Sequence, residues 1–221
     1  MIGDFHPDGG EPRYFGLYPA VVTNIVDDKP LGRIQVKFPW LGQAGAAVRA
    51  WATLLTPYAD EKQGLWVLPA VETQVVVAFE AGDVNRPYIV GACWNGKEKM
   101  PDTAAKPNNR RAFRSRAESL LEFDDTQNAS KVTLSMKSGH RLVLDDAAKT
   151  VTLHHANGCE IVMNQAGTIT IRANDSVDIV ASTLNVHCPE ANFDNVINCV
   201  TLNASAGVKS ASYNNAPGNM W

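Results

Sequence analysis

Apolar and polar positions alternate along most of this chain, but with two different rhythms. The first runs through residues 18–94. Candidate strands there are YPAVVTNIV (18–26), GRIQVKFPW (32–40), VRAWATLLT (48–56), GLWVLP (64–69), TQVVVAFE (73–80) and PYIVGACW (87–94). They are rich in Val, Ile, Phe and Trp, the residues that pack well on a pleated surface. Turn-type breaks separate them: DDKPLG, ADEKQG and EAGDVNR. Five or six such strands without a helix predict a small closed barrel over residues 17–97, since closure removes the sheet edges that would otherwise aggregate.

The second rhythm is shorter. Apolar residues come in bursts of two or three at alternate positions: Val132, Leu134 and Met136; Leu142 and Leu144; Val151 and Leu153; Ile161 and Met163; Ile169 and Ile171; Val177 and Ile179; Leu184 and Val186; Val200 and Leu202. Small polar breaks separate them, among them KSGH, DDAAK, ANG and NQAG. A strand and a turn repeating every eight to ten residues is a solenoid signature. Each burst offers only two or three side chains to one face. A single-chain coil needs about twenty residues per turn and would be short and poorly buried here. Three chains wound around one axis bury the same side chains, each strand pairing with strands of its neighbours. At about 4.8 Å per strand, roughly ten strands make a rod about 50 Å long. The residues expected to converge in this trimer core are Leu142, Leu144, Leu153, Ile161, Ile169, Ile171, Val177 and Ile179.

Composition sharpens the division. Ten of the twelve prolines lie in residues 1–107, whereas fourteen of seventeen asparagines follow them. Such a shift argues for two domains. The expected organisation is an N-terminal arm (1–16), the barrel (17–97), a linker (98–117) containing KEKMPDTAAKPNNRRAFRSR, an all-β needle (118–210) and a C-terminal tip segment (211–221). A net charge of −3 without a basic stripe disfavours nucleic acid as a partner. The four cysteines form no CxxC pair and suit a reducing compartment. The opening MIGDFHPDGGEP resembles no secretory signal, so synthesis in the cytoplasm is expected.

YPAVVTNIVDDKPLGRIQVKFPWL, the LLTPYA…GLWVLPAVETQVVVAFE block and GDVNRPYIVGACWN resemble the OB-fold domain of contractile-injection-system spikes. These include phage baseplate protein V and the VgrG proteins of type VI secretion. SGHRLVLDD followed by ITIRANDSVDIVAS is similar to the trimeric β-helix that such spikes carry. The resemblance covers residues 18–190. It implies a non-enzymatic homotrimer at the tip of a tube, assembled into the baseplate of a phage, phage tail-like particle or type VI-like machine and driven toward a target envelope. It also implies a separate hub protein beneath the barrel and a PAAR-type tip protein on the blunt end, where Met220 and Trp221 are the expected docking residues. The alternative is a β-helical tailspike that binds or degrades glycans.

Individual chemistry is sparse. No catalytic residue and no cofactor are expected. His155 shares the parity of Val151 and Leu153, so three copies would point inward and form the one candidate for an axial metal ion. The doublets Asp124–Asp125 and Asp145–Asp146 fall at turn positions, where Asp favours the bend. Arg110, Arg111, Arg114 and Arg116 are expected to pair with Glu118, Glu122 and Asp124 at the junction between barrel and needle.

Overall fold

A computed structural model describes residues 12–42 and 47–207. Their regular structure is all strand apart from one short 3-10 turn at Glu80–Gly82. The first unit is a closed barrel of five strands: β1 (Tyr18–Asn24), β2 (Arg33–Phe38), β3 (Val48–Leu54), β6 (Gln74–Phe79) and β7 (Pro87–Ala92), in the order β1-β2-β3-β7-β6. All pairs are antiparallel except β3 with β7. Strict alternation along β2 and β6 sends every second side chain into the interior. Ala20, Val22, Ile34, Val36, Phe38, Ala52, Val75, Val77, Phe79 and Ile89 fill it. Tyr18 stacks on Trp40 at 4.8 Å between ring centres, and Trp40 donates from Nε1 to the carbonyl of Pro19 at 2.8 Å, closing one end.

The run at 64–69, expected as a sixth strand, is not one. A two-residue ladder of β4 (Ala59–Asp60) with β5 (Gln63–Gly64) takes up its start. Leu65, Trp66 and Val67 after it lie exposed, Trp66 at 75%, and Leu68 packs against the barrel core. Pro69 cannot donate to a ladder, which suits a chain leaving the sheet.

The second unit is a seven-stranded meander in chain order: β8 (Arg110–Arg114), β9 (Leu120–Asp124), β10 (Lys131–Ser135), β11 (Arg141–Asp145), β12 (Thr150–His154), β13 (Glu160–Asn164) and β14 (Ile169–Arg172). Every neighbouring pair is antiparallel and in register. This corrects two expectations. These strands pair within one chain and do not alternate with strands of other copies, because five-residue strands joined by short turns hairpin back on themselves. The segment 98–117 is not all linker, because β8 lies inside it. Each of the six turns places one residue in the left-handed region: Glu118, Asn128, Gly139, Lys149, Gly158 and Gly167. At the β10–β11 and β12–β13 turns, Gly139 and Gly158 donate to the carbonyls of Met136 and His155, both at 2.9 Å. That is a type I turn closed by a left-handed residue, a geometry that fixes hairpin register. Residues 173–207 contain no assigned strand within the chain.

A candidate self-association face

In an antiparallel ladder, residues directly opposite one another point to the same face. The register therefore defines two rows down the middle of one face of the meander. One is Phe113, Leu121, Leu134, Leu142, Leu153, Ile161 and Ile171. The other is Arg111, Phe123, Val132, Leu144, Val151, Met163 and Ile169. Arg111 is the single polar member, on the edge strand. The central row of the opposite face reads Ala112, Glu122, Thr133, Val143, Thr152, Val162 and Thr170. The sheet is thus apolar on one side and mixed, with β-branched and polar residues, on the other.

Nothing among the described residues packs on the apolar side. Phe113, Leu121, Phe123, Leu134, Leu144, Val151, Leu153, Met163, Ile169 and Ile171 remain 37–64% exposed. Among the described residues, every buried hydrophobic side chain belongs to the barrel, and Glu122 is the one buried side chain of the sheet. Spread over six strand spacings, the apolar band is about 29 Å long. A contiguous patch of this length on a one-layer sheet marks an interface, since a stable domain needs at least two packed layers.

Of the eight core positions expected from the sequence, Leu142, Leu144, Leu153, Ile161, Ile169 and Ile171 come together on this face. Val177 and Ile179 lie in the strandless segment 173–207, where they are exposed. Met220 and Trp221 lie outside the described residues. The sequence reading missed Phe113, Leu121 and Phe123, whose alternation is masked by flanking arginines and acids.

The margins of the sheet are polar. Arg110 makes an ion pair with Glu122 and a second with Asp102 at 3.0 Å, which ties the segment before the sheet to its first strands. The Glu122 carboxylate raises the Arg110 guanidinium above its ordinary value. Arg111 meets Asp125 at 2.5 Å and Lys137 meets Glu118 at 2.7 Å. The Lys137 ammonium holds Glu118 below the usual carboxylate range. Asp124 is also held down, because the Thr126 hydroxyl and backbone N–H both donate to it. Asp124–Asp125 and Asp145–Asp146 sit where strands end and turns begin, so they serve as turn formers and ion-pair partners. His154 and His155 take opposite faces, as parity requires. His155 is on the apolar side but in the outermost row, one step beyond Leu153.

Comparison with known proteins adds a likeness to this geometry. Residues 18–94 match the type VI secretion system/phage-baseplate injector OB domain. The chain is 28% identical over 115 residues to the type VI secretion system spike protein VgrG5 of Pseudomonas aeruginosa, covering 49% of this chain and 14% of that protein. It is 23% identical over 131 residues to VgrG1a of the same organism, covering 54% of the chain and 20% of the relative. VgrG3 of Vibrio cholerae is 22% identical over 128 residues, covering 54% and 13%. The chain therefore spans one fifth or less of the length of these relatives.

Proposed function

We propose that this chain is a structural spike of a contractile injection machine, since residues 18–94 match the type VI secretion system/phage-baseplate injector OB domain. The observation that carries the reading is the apolar face of the meander, uncovered in one copy. Three copies cover it by turning their faces toward a common axis, making a triangular prism. Closed cyclic symmetry of this kind is the usual solution for soluble homo-oligomers. Residues 173–207 favour three copies over two. If these segments become strands on association, two of them make only an open ribbon with exposed edges. Three close around the axis and leave no edge.

The role is mechanical. The barrel anchors the spike on the baseplate hub, and the prism with its extension transmits thrust to the target envelope. Such a rod resists buckling because many ladder hydrogen bonds must fail together. A PAAR-type tip protein caps the far end, with Met220 and Trp221 as docking residues. Side chains act here by packing, and the reading assigns no catalytic role to any of them.

Complementation tests the role. Particles lacking the chain should fail to penetrate their targets, and the wild-type chain should restore them. A chain carrying Leu153→Asp and Ile171→Asp should not. Full activity with that double variant would contradict the reading.

A further inference from the structure

Beyond the two central rows, the apolar side of the meander carries an outer row along one margin. Met136 and His140 face each other across one turn, where the Met136 amide donates to the His140 carbonyl at 2.9 Å. His155 and Cys159 do the same across the next, also at 2.9 Å. The ladder between β11 and β12 brings the two histidines side by side, with ring centres 4.2 Å apart. Four side chains known for binding borderline and soft metals therefore stand in one line on one face.

The histidines are also held. Asn157 Oδ1 lies 2.6 Å from His155 Nδ1, and the Asn157 amide is 3.3 Å from the same atom. The Ala156 amide donates to His140 Nδ1 at 3.2 Å. Both rings are tied to the β12–β13 turn through Nδ1, which leaves Nε2 as the free end of each. An Nδ1–H donated to a fixed oxygen is the arrangement that orients a metal-binding imidazole, and Asn157 supplies it for His155. Coordination through Nε2 places the proton on Nδ1 of both rings, which keeps the His155 bond to Asn157 Oδ1 and gives up the amide contacts from Asn157 and Ala156.

One copy does not complete a site: among the described residues, no three His, Cys, Asp or Glu side chains of a single chain are grouped to hold an ion. Resting on the trimeric prism proposed above, the missing ligand can be named. In a threefold prism, the margin carrying His140 and His155 meets the opposite margin of the next copy. Symmetry keeps equal strands at equal height. The strand β11 that begins beside His140 ends beside Asp146, so Asp146 of the adjacent copy arrives level with His140. Within its own chain the Asp146 carboxylate meets Lys149 at 2.7 Å on the surface.

We propose that each corner of the prism holds one divalent transition-metal ion between His140 and His155 of one copy and Asp146 of the next. Two imidazoles and a carboxylate suit zinc, cobalt or iron(II) and leave further positions for water. Because the ligands come from two copies, the ion acts as a clamp between them. This places three ions off the axis, in contrast to a single ion on it.

The test is a calorimetric titration of chelator-treated full-length protein with zinc, with cobalt absorption as a second readout. The expected result is three ions per trimer. His140→Ala and His155→Ala should each abolish tight binding. Asn157→Ala should weaken it about tenfold, as loss of a positioning partner does. Asp146→Asn should weaken it while leaving the metal-free mass unchanged. One ion per trimer, no binding, or binding unaffected by Asp146→Asn would each overturn the corner site. Light scattering of the metal-free sample separates the two ideas. A trimer that ignores zinc overturns the site alone, and a monomer overturns the prism together with it.

Discussion

Leu153 and its sequence neighbour Thr152 offer a sharp test, because adjacent residues on one strand point to opposite faces. Leu153 lies in the apolar row between Leu142 and Ile161 and is 52% exposed in one copy. Full burial of a leucine side chain contributes about 2 kcal/mol, so covering the exposed half contributes about 1 kcal/mol per copy. The ten partly exposed side chains of the face together give about 10 kcal/mol per copy at the same rate. Association costs about 4–15 kcal/mol per partner joined. Leu153→Ala therefore removes about 3 kcal/mol per trimer from about 30 kcal/mol of gross burial, before the cost of association, and should lower thermal stability. Leu153→Asp is different in kind. It confines three carboxylates in a closed apolar interior, at several kcal/mol each, and should prevent assembly. Thr152→Asp lies on the outer face and should leave assembly intact. Sedimentation velocity on the three variants reads the outcome. Near-ultraviolet circular dichroism of the Tyr18–Trp40 stack confirms that the barrel is folded in each. A Leu153→Asp trimer with wild-type thermal stability, or a Thr152→Asp monomer, would refute the assignment of faces.

Two further outcomes follow from local geometry. Asp27, whose side chain is 5% exposed, accepts two hydrogen bonds from Arg33 at 2.8 and 2.9 Å, and these hold its carboxyl well below the ordinary 3.8. A depressed folded pKa gives stability that is present above the unfolded value and lost as pH falls through the folded one. Asp27→Asn should therefore lower barrel stability at neutral pH and flatten its decline below about pH 4, as followed by thermal unfolding across pH; an acid limb identical to wild type would contradict this. Gly158 sits at φ +98°, and a Cβ there would make only ordinary contact, its closest neighbour being Asn174 Nδ2 at 3.5 Å. Gly158→Ala should cost about 1–2 kcal/mol from backbone conformation alone, readable in chemical denaturation.

Much of the fold was legible because period-two alternation survives wherever one face is buried. Val132 and Leu134, Leu142 and Leu144, and Val151 and Leu153 mark three successive strands, and KSGH and DDAAK mark the turns between them. The run GLWVLP was misread because an unbroken apolar stretch looks the same whether it lines an interior or lies on a surface. RRAFR was read as linker because its charges hide the alternation. It forms a strand because Arg110 and Arg111 find Glu122 and Asp125 across the ladder. Residues 173–207 show the opposite case. Val177 and Ile179 alternate as a strand should, yet a single chain offers them no strand to pair with. The His140–His155 pairing was invisible in the sequence because fifteen residues separate the two, and only the register of β11 on β12 brings them together.

The most direct measurement is the mass of the wild-type chain in solution by multi-angle light scattering. One chain weighs 24.0 kDa. The expected result is a species of three times that mass, persisting on dilution to low micromolar concentration. A monomer would leave the apolar face of the meander uncovered in water. A dimer would replace the prism with a two-sheet sandwich. Either mass would contradict the account.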